Sequence, residues 1–175
     1  ARALQTAVPE ARARLVPPLL DDPVKAVRMA AVMSLAPLGP EVLPAGTQQS
    51  FNAAVDEYIA AQLLNAERGE AHTNIANLQR HLGRNNLAEQ SYRTALRVND
   101  SFAPAYVNLA DLYRAVGDEE SAEATLLTGL DVQPEQAALR HSLGLSLVRQ
   151  GRMAEAVPEL EAAATSPDAT PRYAL

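Results

Sequence analysis

No cysteine occurs among the 175 residues, which excludes disulfides, CxxC redox pairs, cysteine-ligated zinc and CxxCH haem attachment within this sequence. Tryptophan is also absent, and Phe and Tyr together make up only 4% of the chain. Nothing approaches the run of ~18 apolar residues that a membrane-spanning helix needs, and no signal-peptide pattern is present. Positive charge is scarce: 15 Lys and Arg stand against 21 Asp and Glu, for a net charge of −6. General binding to nucleic acid or to an anionic membrane surface requires a basic footprint, so neither is expected. The acidity is concentrated, since residues 1–68 carry 6 basic and 7 acidic side chains but residues 69–170 carry 8 and 14.

What the chain does have is Ala and Leu within a 47% hydrophobic composition, and β-branched runs are few. Those strong helix formers predict an all-α chain. The stretch from Gly69 to Thr170 also repeats itself. Gly83, Gly117 and Gly151 lie 34 residues apart, as do Ala88, Ala122 and Ala156, and Ile75, Leu109 and Leu143. A fixed step of this size predicts a solenoid, in which each unit buries its apolar face only against its neighbours.

Residues 1–40 read as short helices broken by prolines. One runs from about Pro9 to Leu20, with Ala11, Leu15, Leu19 and Leu20 on one face, and Pro17 and Pro18 kink or tighten it. Asp22 is expected to cap the next helix with Pro23 at its first position. That helix, about Pro23 to Ala36, places Val24, Val27, Ala31 and Leu35 together. Residues 37–46 hold three prolines and two glycines and form the one clear linker. A helix from Thr47, its expected N-cap, to about Glu67 follows, with Phe51, Val55, Tyr58 and Leu63 along one side. The expected organisation is 1–40, a connector and half-repeat at 41–68, three units at 69–170, and the start of another at 171–175. The opening Ala1-Arg2-Ala3-Leu4, mid-pattern and without Met, predicts a piece of a longer protein.

The three units are expected as paired helices at 70–82 and 86–98, 104–116 and 119–132, and 138–150 and 153–164. Each glycine at the 34-residue step falls just past a first helix, where a left-handed closure is needed. Small residues recur at Ala76/Ala110/Gly144, Ala88/Ala122/Ala156 and Ala95/Gly129/Ala163, where helices cross closely. Bulky ones recur at Ile75/Leu109/Leu143 and Tyr92/Leu126/Leu160. This pattern resembles the tetratricopeptide repeat, and the resemblance implies a right-handed α-solenoid of helix-turn-helix units. Asp100 stands where that pattern has the proline seen at Pro134, which predicts a looser loop. Pro158 inside the last helix is expected to bend it or delay its start. The segment from Leu19 to Ala31, with Asp22 and a Val27-Arg28 pair, resembles the HEAT repeat, in which such a pair packs and braces the second helix.

In tetratricopeptide proteins the first helix of each unit lines a concave face that binds a protein partner. By position, the resemblance places Thr73, Asn74, Asn77, Arg80 and His81 of the first unit there. The second contributes Val107, Asn108, Asp111 and Arg114, and the third His141, Leu145, Val148 and Arg149. Asn74 and Asn108 are equivalent; an amide there can hold the backbone of an extended peptide, or it can pack and cap locally. Arg80, Arg114 and Arg149 recur near the ends of successive helices. They form either a cationic column for a partner's carboxylates or a simple complement to the helix dipoles. Asn77 and Asn108 match the asparagines of the family's chaperone-binding clamp. Thr73, Ala138 and Ser142 stand where its basic residues belong, so binding of a chaperone tail is not expected.

His72, His81 and His141 have no ligand spacing, and no metal or cofactor site is expected. The acidic run Asp118-Glu119-Glu120 with Glu123 opens a helix, where negative charge suits the dipole, and reads as a solvated face. No GxSxG, phosphate loop or HExxH occurs, so no enzyme activity is expected. The leading expectation is a protein–protein interaction scaffold that takes an unidentified peptide or helix, with a homo-oligomer as the other partner class. The order of the HEAT-like stretch, connector, Glu57-to-Gln62 helix, repeats and closing Pro171-to-Leu175 resembles a bacterial family with multihaem cytochrome c motifs upstream. That resemblance implies an exported parent for which this chain is a docking arm. A substrate-recruiting region of a larger enzyme is the remaining class.

Overall fold

The computed structural model describes residues 8–39 and 42–169. Among them all regular structure is helical, giving the all-α solenoid class that the repeat predicts. In chain order the α-helices are α1 (Pro9–Leu15), α2 (Lys25–Leu35), α3 (Gln48–Leu63), α4 (Gly69–His81) and α5 (Asn85–Val98). They continue as α6 (Ala103–Ala115), α7 (Glu119–Val132), α8 (Ala137–Arg149) and α9 (Met153–Thr165). Short 3-10 helices occupy Pro17–Asp21 and Ala36–Leu38. By packing the chain divides into two units, Ala1–Ala66 with Asn74–Ala88, and Glu67–Thr73 with Glu89–Leu175.

In the first unit the prolines do more than kink a helix. α1 stops at Leu15, and Pro17 and Pro18 open a separate 3-10 turn, because neither proline supplies an N–H to continue the α ladder. The tighter winding moves Leu15 outward, where it is 53% exposed, and seals Val16 and Leu20 in its place. Asp22 does not cap a helix beginning at Pro23. Its carboxylate accepts the Val24 N–H two residues on, at 2.8 Å, which holds the chain extended and postpones α2 to Lys25. Val24, expected in the core, is therefore the flanking residue and lies exposed. Thr47 sits at the start of α3 but caps nothing, because its hydroxyl donates backwards to the Pro44 carbonyl at 2.7 Å. α3 ends at Leu63 and not near Glu67. Five residues beyond Tyr58, Leu63 is turned about 140° off the buried stripe and is exposed.

The core of this unit joins Val16, Leu20, Val32, Leu35, Phe51, Val55, Tyr58 and Leu78. Arg28 ties the helices together. Its fork grips Glu57, with Nε to Oε2 at 2.7 Å and Nη2 to Oε1 at 2.5 Å, while Nη1 donates to the carbonyls of Asp22 and Pro23 at 2.7 and 3.1 Å. One guanidinium thus fixes the irregular start of α2 against the middle of α3.

The second unit follows the expected hairpins to within a residue. Its turns show why glycine is needed: at Gly117, φ is +84° and its N–H donates to the Arg114 carbonyl at 3.0 Å. The Asp118 N–H then reaches back to the Tyr113 carbonyl at 2.9 Å, the paired closure that a left-handed residue permits. Gly129 and Gly144 answer a different demand. A Cβ on Gly129 would lie 2.9 Å from Tyr106 Cγ, and one on Gly144 would lie 2.6 Å from Leu160 Cγ. The core gathers Tyr106, Leu126, Leu139, Leu143 and Leu147 around Ala110, Ala122 and Ala156.

Pro158 lies inside α9 without delaying its start at Met153. The loop at Asp100 is held by polar groups where proline was expected. Asn99 Oδ1 accepts the Ser101 N–H at 3.1 Å, and Gln133 Nε2 donates to the Ser101 carbonyl at 2.9 Å.

The acidic start of α7 is not simply solvated. Asp118 caps it, accepting the Ser121 N–H at 2.9 Å. Glu119 pairs with Arg149 at 3.3 Å and accepts the buried Ser146 hydroxyl at 3.1 Å. Glu123 binds Arg152 at 2.6 Å and Gln150 at 2.9 Å, and Arg152 also reaches Glu155 at 2.7 Å. The Arg149 guanidinium chiefly holds Glu119 below the usual carboxylate range, and Arg152 and Gln150 do the same for Glu123. A one-turn sequence window sees only charge at a helix start; these partners lie some thirty residues away, at the far end of α8 and just beyond it.

Candidate functional site

The 34-residue step brings equivalent faces of α6 and α8 to the same side of the second unit. Val107, Ala110 and Asp111 from α6 meet His141, Ser142, Leu145 and Arg149 from α8 over a floor of Ala122 and Leu126. Together they line a cavity of about 160 Å³. Leu145 presents an apolar side chain to solvent there, 43% exposed, with Asp111 and Arg149 nearby on the lining. Both charges are engaged: Arg114 reaches Asp111 at 3.3 Å, and Arg149 is held by Glu119. Two of the three recurring arginines therefore stand in ion pairs. Exposed pairs of this kind are individually weak.

Other residues expected on the concave face are placed less uniformly. Asn108 is half-buried on α6, and Val148 on α8 is exposed. Thr73 is buried, only 4% exposed, with its hydroxyl lacking a hydrogen-bond partner, so its side chain packs inward and is not open to a groove. In the first unit, Asn74 is exposed and donates from Nδ2 to Gln62 Oε1 at 3.0 Å. Asn77, Arg80 and His81 are half-buried along the same helix. Burial, and secondarily the charge of Arg80, pushes the His81 imidazole below its ordinary range. Its Nδ1 and the Arg80 Nε are buried without a hydrogen-bond partner. Among the described residues no group of three or more His, Asp or Glu is placed to hold a metal ion. No described helix is long and apolar enough to cross a membrane.

A larger cavity, of about 660 Å³, has no counterpart among the sequence expectations. It is an open trough between α5 and α7, floored by Tyr106, Leu109 and Tyr113 of α6. Gln90, Arg93, Thr94, Leu96 and Arg97 form one bank, and Thr125 and Thr128 the other. Tyr106, Leu109 and Tyr113 follow the i, i+3, i+7 spacing of one helix stripe. Val107, Ala110, Asp111 and Arg114 of the same helix follow a second stripe about 120° away around the axis. The signal available in the sequence was Arg93 and Arg97, one turn apart, opposite tyrosines seven residues apart.

Antiparallel helical hairpins stacked at a 34-residue period, each closed by a left-handed glycine, define the class of helical-repeat interaction proteins. Residues 69–102 and 107–174 match tetratricopeptide-repeat models, and over these residues the chain is a tetratricopeptide-repeat protein. Repeats of this class generally mediate protein–protein interaction and are generally non-catalytic. Solved structures share the fold. One is TTC0263, a thermophilic TPR protein in Thermus thermophilus. It is 18% identical, with 94% of this chain and 96% of that one covered and a TM-score of 0.56. A structure of MamA protein is 16% identical over 87% of this chain and 90% of that one, with a TM-score of 0.54. Another structure of MamA is 18% identical over 77% and 75%, with a TM-score of 0.52. No curated protein matches the sequence significantly.

Proposed function

We propose that this chain is a non-catalytic assembly module that holds a peptide or helix of a partner protein on the concave stripe of its repeats. The observation that carries this reading is the cavity shared by α6 and α8. There an exposed Leu145 stands among Val107, Asp111, His141 and Arg149, an apolar anchor ringed by exchangeable charges. Asn108 and Arg114 extend the same stripe of α6, where an amide can grip a peptide backbone and a guanidinium a carboxylate. Arg80 and Asn74 belong to the equivalent positions of the preceding repeat. Nothing in the structure or in the family matches favours a haem-bearing parent, an enzyme subunit or a homo-oligomer over this general reading.

The test is a titration. A partner captured on the wild-type chain is measured calorimetrically against a chain carrying Asn108→Ala and Arg114→Ala. The double variant is expected to bind roughly tenfold or more weakly while its helical signal and melting behaviour stay close to wild type. Unchanged affinity for a well-folded double variant refutes the concave assignment.

A further inference from the structure

The trough between α5 and α7 carries two arginines and three threonine hydroxyls along its banks. Its charges do not balance internally. Arg93 is neutralised in place, with Nε on Glu89 Oε1 at 2.9 Å and Nη2 on the Tyr113 hydroxyl at 2.9 Å. Tyr113 in turn donates to Glu89 Oε1 at 2.8 Å, so this end is a closed triad. Arg97, one turn further along the same bank, has no carboxylate within salt-bridge distance among the described residues. Its one hydrogen bond there is from Nη2 to the Thr94 hydroxyl, at 2.8 Å. Among the described residues Arg97 thus stands without an ion-pair partner beside the floor of Tyr106 and Leu109.

The banks add a second constraint. Thr94, Thr125 and Thr128 each donate their hydroxyl proton to the carbonyl four residues back on their own helix, at 2.9, 2.7 and 2.8 Å. A hydroxyl has one proton and two lone pairs. With the proton spent, Thr125 and Thr128 face the trough as acceptors, while Thr94 accepts from Arg97. A phosphate or a nucleic-acid backbone would meet acceptor against acceptor on that bank. A polypeptide would not, since it carries N–H donors along its backbone and a carboxylate on a side chain.

We propose that this trough is a second protein-binding site, separate from the concave stripe, that takes an extended acidic peptide segment. An Asp or Glu side chain of the ligand meets Arg97. Its backbone N–H groups meet Thr125 and Thr128, and a neighbouring apolar side chain lies on Tyr106 and Leu109. The triad of Glu89, Arg93 and Tyr113 closes one end and fixes the register. The complementarity is that of a cation and acceptors with an anion and donors, and it favours an acidic peptide over a phosphate or a nucleic-acid backbone.

The test uses immobilised wild-type chain and Arg97→Gln, each exposed to a random short-peptide library with acetylated and amidated ends, the retained pools then being sequenced. The wild-type pool is expected to favour Asp and Glu over Asn and Gln by about tenfold, the worth of a charge-assisted hydrogen bond, and the variant pool to show that preference reduced severalfold, any remainder coming from the concave stripe. Arg97 is exposed and bonds only Thr94, so the variant keeps the wild-type proton–nitrogen spectrum away from positions 94–97. A retained peptide is expected to shift the amides of Thr94, Thr125 and Thr128. Its carboxylate-to-amide counterpart and inorganic phosphate are expected to leave them in place, and Thr128→Val to weaken the peptide severalfold. Equal pools from the two chains, shifts centred on Asp111 and Leu145, or shifts reproduced by phosphate each overturn the proposal.

Discussion

Replacing Gly144 by Ala separates two effects that usually travel together. In a helix interior Ala is favoured over Gly by about 1 kcal/mol. Against that, the new Cβ would stand 2.6 Å from Leu160 Cγ and 2.7 Å from Leu160 Cδ2. Carbon atoms prefer roughly 3.5–4.0 Å, so Leu160 must retreat by about 1 Å or α8 must lift from α9. Overpacking of this order costs about 1–3 kcal/mol, which leaves Gly144→Ala net destabilising by about 1 kcal/mol. With Leu160→Ala already present the obstruction is gone. The Ala156 carbonyl, 3.3 Å from the Cβ, still presses lightly. In that background Gly144→Ala is expected to stabilise, by up to about 1 kcal/mol. The sign therefore reverses, and the coupling between the two sites is about 2 kcal/mol. Urea denaturation of the four chains, followed by far-ultraviolet circular dichroism, measures the cycle directly, provided the m-values agree. If Gly144→Ala has the same effect in both backgrounds, close approach of Leu160 is not why this position is glycine.

Gly117→Ala tests conformation without contact, because φ is +84° and an added Cβ meets nothing within 4 Å. It is expected to cost about 1 kcal/mol in the same urea assay, with Gly117→Asn costing less. His81 gives a pH test. Its folded pKa is depressed below 6.5, so the unfolded chain binds the proton first, and the stability present above pH 6.5 falls as the solution is acidified below it. His81→Asn is expected to flatten this loss, and the His81 ring resonances to titrate below 6.5.

Periodicity made the repeat region readable because every repeated position there has one local job. Ala88, Ala122 and Ala156 are all buried, and Gly83, Gly117 and Gly151 all adopt positive φ. Where single residues chose between two hydrogen-bond partners, sequence was a weaker guide. Asp22 and Thr47 are residue types suited to capping. Each instead bonds a nearby main-chain group, Asp22 two residues ahead and Thr47 three residues back. Leu15 and Leu63 matched an apolar stripe only if their helices continued without a break, and a 3-10 turn and an early helix end remove them from it. Glu119 and Glu123 were legible as charges but not as clasps, since Arg149 and Arg152 are brought to them only by stacking of the hairpins. The trough had the same difficulty. Arg97 lacks a carboxylate partner only once three helices are in place, and the spent protons of Thr94, Thr125 and Thr128 depend on side-chain rotation.

The clasps across α7 and α8 also set how this stretch yields to force. Swinging the α8/α9 hairpin away from α6/α7 would have to break the Glu119–Arg149 and Glu123–Arg152 bonds as well as open the leucine core. Those bonds lie near the surface, so dissolved salt softens them while leaving the helices themselves intact. The join is in effect a spring with an ionic latch. On the proposed reading, a partner carboxylate that captured Arg149 would take it from Glu119 and release part of that latch, so occupancy of the cavity shared by α6 and α8 would loosen the join between these two hairpins.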